Sequence, residues 1–178
     1  MTNEKVKREK LIDVAGWMAL PIGLMWSASF LCAMYAFERP LLSTLGSALG
    51  LISIYVLYKQ LTNYRQLNPS SWLYIWRLSF VTCLLAGLLT DAAQYAYFLL
   101  LDDGRFISLM SKAMQSEEYR QTLQKLFPES NLEEIQKVFQ SMSIRDIVLQ
   151  MAFYNLILAF PVSLLAALPV RKVEKVKE

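Results

Sequence analysis

The sequence predicts an all-α, polytopic membrane protein with four transmembrane helices and an external amphipathic segment between the third and the fourth. Three observations predict it. Four apolar stretches, Leu11–Phe37, Leu41–Leu61, Trp72–Leu101 and Ile147–Val170, are each long enough to cross a bilayer, since about 20 apolar residues span the hydrocarbon core. Charged residues make up only 19% of the 178-residue chain and hydrophobic ones 55%, and almost none of the charges fall inside the four stretches. Basic residues gather instead at the ends, at Lys5, Lys7, Arg8 and Lys10 and at Arg171, Lys172, Lys175 and Lys177. Short connections make residues 1–178 a single membrane domain.

The first stretch has the basic start of a secretory leader, but its 27 residues exceed the usual 7–15 of a signal core. It is read as a retained span. Pro21, with Gly23 close by, predicts a kink, because a proline leaves a carbonyl that neighbouring helices must satisfy. Only Glu38, Arg39 and Pro40 separate the first two spans, which therefore pack as an antiparallel hairpin. Pro40 suits a first helical turn, where its missing N–H costs nothing.

Along the second span Ser43, Gly46, Ser47, Gly50 and Ser53 share one face. Gly46 and Gly50 form the four-residue glycine spacing that lets helix backbones approach closely. This candidate helix-packing face serves either packing within the bundle or association with a second copy. The third span opens on the aromatic cluster Trp72, Tyr74 and Trp76, residues that favour the headgroup level.

Asp91 lies well inside the third span. At about 1.5 Å per residue it stands roughly 15 Å from the outer end, where an ionised carboxylate is costly and has to face the bundle interior, pair, or be protonated. Gly87, Asp91, Gln94 and Tyr95 recur at helical spacing. Ser27 of the first span and Asn155 of the fourth reach similar depth by the same count, so Ser27, Asp91, Gln94 and Asn155 form a candidate intramembrane polar layer. Its three readings are a neutral hydrogen-bonded register device, an ion, proton or substrate path, and placement of Asp91 at the surface or in a water cavity. The fourth span carries Gln150, Asn155 and Pro161, with a second kink expected at Pro161 and closure at Pro169.

The segment from Asp102 to Asp146 holds eight acidic and six basic residues and is too charged for lipid. Phe106, Leu109, Met110, Ala113 and Met114 follow helical spacing. Pro128 ends that helix, or a second short one around Tyr119–Phe127, and Ser130 with Glu133 reads as a capping box opening a helix with Leu132, Ile135, Val138, Phe139 and Met142 on its apolar side. These amphipathic helices are expected on the membrane surface or over the bundle; the alternative is that they dock a partner protein. With eleven basic residues in the two tails and the middle connection against seven elsewhere, the positive-inside rule puts both termini in the cytoplasm.

Enzymatic function is not indicated. The chain has no histidine and lacks P-loop, dinucleotide-binding, nucleophile-elbow and metalloprotease motifs. No catalytic residue, cofactor-binding residue or metal ligand is assigned and no cofactor is expected. Cys32 and Cys83 are read as small core or lipid-facing residues, and the adjacent Asp102 and Asp103 as a solvated helix exit. The expected partners are the lipid bilayer and either another membrane protein or a second copy; neither nucleic acid nor metal is among them.

The basic N-terminus and span pair, the Gln94-Tyr95-Ala96-Tyr97-Phe98 run, the Asp102-Asp103 exit, the amphipathic segment with Met110, Met114 and the Ser130–Glu134 turn, and the last span ending in Lys and Arg together resemble the domain of unknown function 4199 family. These are small four-helix integral membrane proteins of Gram-negative bacteria. The resemblance covers about Leu11 to the C-terminus. It implies an inner-membrane location and hints at envelope assembly, but implies no functional residue. The expected role is an accessory or scaffold subunit; the alternative is a small transporter or lipid-linked-sugar flippase component, working as an oligomer with Asp91 on the path.

Overall fold

A computed structural model describes residues 2–36, 39–68, 70–117, 121, 125, 137–138 and 141–172. In chain order these form α1 (Thr2–Tyr35), α2 (Pro40–Leu67), α3 (Trp72–Leu100), α4 (Arg105–Gln115), α5 (Ile144–Ala167) and a 3₁₀ turn at Pro169–Lys172. Four of the helices, α1 from Leu11 onward, α2, α3 and α5, have the length and apolar composition to cross a membrane. The protein is an all-α polytopic membrane protein.

Helix boundaries follow local chemistry. Pro40 occupies the first turn of α2, after an extended Arg39. The helix outlasts the apolar run that ends at Leu61 and stops at Asn68, whose extended backbone (φ −128°, ψ 93°) is what a residue preceding proline prefers. The extra turns are helical because they have tertiary partners, described below for Tyr64 and Arg65. Three residues earlier than the apolar run, α5 begins at Ile144. Ser143 and Asp146 cap it reciprocally: the Asp146 carboxylate accepts from the Ser143 amide (3.0 Å) and hydroxyl (2.6 Å), and the Ser143 hydroxyl accepts from the Asp146 amide (3.2 Å). This is a capping box that the sequence carries as Ser-x-x-Asp. Pro169 marks the other end, where α5 gives way to the 3₁₀ turn. Pro21 and Pro161 lie inside continuous helices.

By contacts the chain divides into two compact units, Met1–Ala93 with Met151–Glu178, and Gln94–Gln150. In the first, α1 and α2 run antiparallel. Trp26 donates its indole N–H to the Ser53 hydroxyl (2.8 Å), and Ser29 donates to the Gly46 carbonyl (2.8 Å). Helices α3 and α5 are also antiparallel in register, since Ser79 donates to the Ser163 carbonyl (3.0 Å) and the Trp72 indole to the Ala167 carbonyl (3.2 Å). Where α2 ends and α3 begins, the Tyr64 and Tyr74 rings stack at 6.3 Å, and the Arg65 guanidinium donates to the Val170 carbonyl. The aromatic cluster expected at the headgroup level is thus also a packing device: Trp72 stacks on Trp76 at 6.5 Å, and Trp76 meets Phe160 edge-on at 6.0 Å.

This unit leaves far more bulky apolar surface outside than a water-soluble bundle does. Its interior holds Ile22, Leu57, Leu61, Ile75 and Leu78, and with them Ala15, Ala19, Ala86, Ala159, Ala166, Ser53, Ser79, Thr82, Thr90 and Ser163. Trp17 (80% exposed), Leu41 (84%) and Leu51 (70%) face outward. Small and hydroxyl residues among the interior leucines and isoleucines, with further bulky apolar residues outside, suit a hydrocarbon solvent, because lipid supplies no drive to hide leucine and close packing does the work of association. Cys32, half-buried, and Cys83, buried, are free thiols.

In the second unit, Phe98 is buried and meets the Tyr97 and Phe106 rings edge-on at 5.4 and 5.5 Å. The chain turns through Asp103 (φ 43°) and Gly104 (φ 76°) into α4, which covers the predicted Phe106–Met114 stretch. Asp102 is not the solvated residue expected from its neighbourhood: it is 4% exposed, and its carboxylate accepts the Phe106 amide at 3.1 and 3.3 Å, satisfying a first-turn N–H that has no partner within the helix. Asp103 remains exposed. Replacing Asp102 by alanine is expected to cost α4 about 1 kcal/mol of local stability, read as faster amide hydrogen exchange over residues 105–115 with the spans unchanged. Of the stretch Tyr119–Phe127 only Gln121 and Lys125 are described, both helical and exposed; Pro128 and the Ser130–Glu133 box lie outside the described residues, as do Leu132, Ile135 and Phe139, while Val138 is described and exposed.

Candidate functional site

Polar side chains within the spans define the site, and α3 supplies its centre. Gly87 presents no side chain to α5, so Asn155 lies directly over it; a Cβ built on Gly87 would sit 3.8 Å from the Asn155 Cβ. One turn further along, Asp91 Oδ1 accepts a hydrogen bond from Asn155 Nδ2 at 2.6 Å. That is short for an amide–oxygen bond. Both residues are half-buried. Among the described residues Asp91 forms no other hydrogen bond and no ion pair, so Oδ2 has no protein partner. With α3 rising about 1.5 Å per residue, Asp91 stands roughly 14 Å from the end of the helix at Leu100.

Ser27 and Gln94 are placed differently. The Ser27 hydroxyl donates to the Gly23 carbonyl of its own helix at 2.8 Å. Gln94 belongs to the second unit, is buried (5% exposed), and keeps its Oε1 without a partner among the described residues. Tyr95, on the same predicted face as Asp91, is exposed. Of the four layer residues, only Asp91 and Asn155 are hydrogen-bonded to each other.

The glycine pair on α2 also divides. A Cβ on Gly46 would stand 3.1 Å from the Ser29 carbonyl oxygen and 3.2 Å from the Cys32 Cβ, whereas one on Gly50 would meet nothing within 4 Å. Gly46 is therefore where α1 and α2 approach closely. The tightest approach lies at Gly23 of α1, where an added Cβ would come within 2.8 Å of Leu89 Cδ2 and 3.1 Å of both the Ala86 carbonyl oxygen and the Leu89 Cβ. Beside it Thr90 donates to Ala86 O (2.9 Å), with a longer approach to Gly23 O (3.4 Å). Sequence reasoning tied Gly23 to the proline kink; the signal it lacked was the matching Ala86 and Thr90 on α3, distant in sequence.

The profile of a family described as "Protein of unknown function (DUF4199)" matches residues 18–172. The chain belongs to this family. The match runs from α1 through the 3₁₀ turn after α5, and so takes in Gly23, Asp91 and Asn155 of this DUF4199 protein. No curated protein and no solved structure matches it. Among its described residues no group of three or more His, Cys, Asp or Glu side chains could hold a metal ion.

Proposed function

We propose that this DUF4199 protein is a non-enzymatic, multi-pass protein of the bacterial inner membrane, both termini cytoplasmic, acting as an accessory or scaffold subunit in an envelope-assembly process. The observation that carries the reading is how the hydroxyls and amides within the spans are used. Ser79, Ser53, Ser29 and Asn155 each take part in a bond to another helix, so these four polar groups fix helix register. A rigid bundle with a wide apolar exterior suits a subunit whose product is its own surface. The basic residues of the two tails support the orientation.

One observation favours a second reading, a small transporter or lipid-linked-sugar flippase component: Asp91 is half-buried with one carboxyl oxygen unpartnered among the described residues, and intramembrane carboxylates commonly mark such paths. Native mass measurement of the tagged protein, extracted from its own membranes in mild detergent, separates the two. A heteromer of fixed stoichiometry is the expected result. A homomer that carries protons or a lipid-linked sugar across proteoliposomes, and loses that flux with Asp91→Asn, overturns the accessory reading. Reporter fusions at both ends are expected to report cytoplasmic positions.

A further inference from the structure

Asp91 borders a strip of α3 that is half-buried at Leu84 and open at Leu88 and Ala92. Leu88 (64% exposed) and Ala92 lie on the outer surface, three residues before and one after Asp91, with Leu84 half-buried one turn earlier. Bulky apolar residues on the outside of a span need only lipid. A carboxyl group with a free oxygen at their edge needs more, since lipid tails offer neither a hydrogen-bond donor nor a countercharge. Ala92 adds a small residue at the same place, which lets a second helix approach closely.

We propose that the strip formed by Leu84, Leu88 and Ala92 docks a transmembrane helix of a different membrane protein, one that carries a lysine or arginine at the depth of Asp91 and pairs it with Asp91 Oδ2. A second copy of this chain does not meet the requirement. In a two-fold dimer about the membrane normal every residue keeps its own depth, so Asp91 meets what this chain has near that level, whose polar residues include Asp91 itself, Ser27, Asn155 and Ser47 of α2, none of them basic. The basic residues of the spans stand elsewhere. Arg77 is roughly 21 Å from Asp91 along α3 at about 1.5 Å per residue, and Lys59 and Arg65 lie in the last turns of α2, the end that meets the start of α3.

The inference rests on the accessory-subunit reading and names the partner's chemistry. The test places a photo-crosslinking residue at Leu88 or Ala92 in the full-length protein in its native membranes, with Leu51 on the exposed face of α2 as the control position. The expected product at the α3 positions is one membrane protein with a basic residue inside a span. Asp91→Asn should reduce its yield about tenfold or more, since removing one member of a desolvated charge pair has that effect or greater. Asp91→Glu should retain most of it, and neutralising the partner's basic residue should match Asp91→Asn. Unchanged thermal unfolding of Asp91→Asn in detergent keeps a folding defect from imitating the result. A second copy as the product, a partner with no basic residue in its spans, or a yield indifferent to Asp91→Asn overturns the proposal. If the native heteromer is present but the α3 positions crosslink nothing, the docking surface is wrong and the accessory reading survives. Absence of any heteromer sinks both.

Discussion

Gly23→Leu is expected to break the packing of α1 on α3 and leave a protein that unfolds at markedly lower denaturant or temperature. The reason is the short approach at this position. Even the first added carbon would stand 2.8 Å from Leu89 Cδ2 and 3.1 Å from both the Leu89 Cβ and the Ala86 carbonyl oxygen. The Leu89 methyl can rotate aside, but the Ala86 oxygen is helix backbone and can yield only if the helices separate. Overpacking of this kind costs about 1–3 kcal/mol for small additions, the range expected for Gly23→Ala, and leucine lies above it. A glycine-to-alanine change in a helix interior gains up to about 1 kcal/mol from propensity alone, so the sign is a contest that sterics win at Gly23. At Gly46, where the Ser29 carbonyl oxygen is 3.1 Å and the Cys32 Cβ 3.2 Å from the added carbon, the two effects come close to balance. At Gly50 nothing lies within 4 Å, and alanine should be neutral or slightly stabilising. Unfolding of the purified protein in detergent micelles, followed by far-ultraviolet circular dichroism, should rank the alanine variants Gly23 below Gly46 below Gly50. Equal effects at all three sites would mean that the close approaches do not control stability.

Asn155→Leu should produce the second large effect, and a double-mutant cycle shows why. Asn155 Nδ2 is the donor to Asp91 Oδ1 at 2.6 Å. Removing it strands the carboxyl group in a low-dielectric site, with an expected loss of about 1–3 kcal/mol. Interhelical hydrogen bonds in membranes average only about 0.6 kcal/mol, because the unfolded chain in lipid finds other partners. The asymmetry between a bond made and a group abandoned is therefore the quantity to measure. Asp91→Leu combined with Asn155→Leu removes both partners and should recover most of the loss. A coupling of about 1–2 kcal/mol in the cycle would establish the pair as an energetic unit. Strict additivity of the two single changes would show that the pair contributes geometry without energy.

The fold class was legible because it rests on composition along the chain. Four long apolar runs can be satisfied in lipid only as helices, whose backbone groups pair internally, and that inference needs no knowledge of neighbours. Individual boundaries were legible where a local device sets them: Pro40 opens α2, and Asn68 before Pro69 closes it. The start of α5 was missed although its capping box stands in the sequence, because the apolar run at Ile147 drew the boundary three residues late. The extension of α2 past Leu61 was not legible, since what holds Tyr64 and Arg65 in helix is the Tyr74 ring and the Val170 carbonyl, remote in sequence. Depth counting brought Asp91, Asn155 and Ser27 to one level, but only Asp91 and Asn155 bond to each other while Ser27 bonds to its own helix, because a count along a helix axis carries no information about direction around it.

The sequence by itself determined that lipid is the solvent of this protein, how many times the chain crosses it, and roughly how deep each polar residue lies, since these follow from length, hydropathy and the fixed rise of a helix. Only the tertiary structure decided which glycine is crowded, which serine bonds to its own helix, and which carboxyl oxygen is left open. Those outcomes depend on the rotation of each helix about its axis, fixed by packing against residues up to scores of positions away, and no local pattern encodes it.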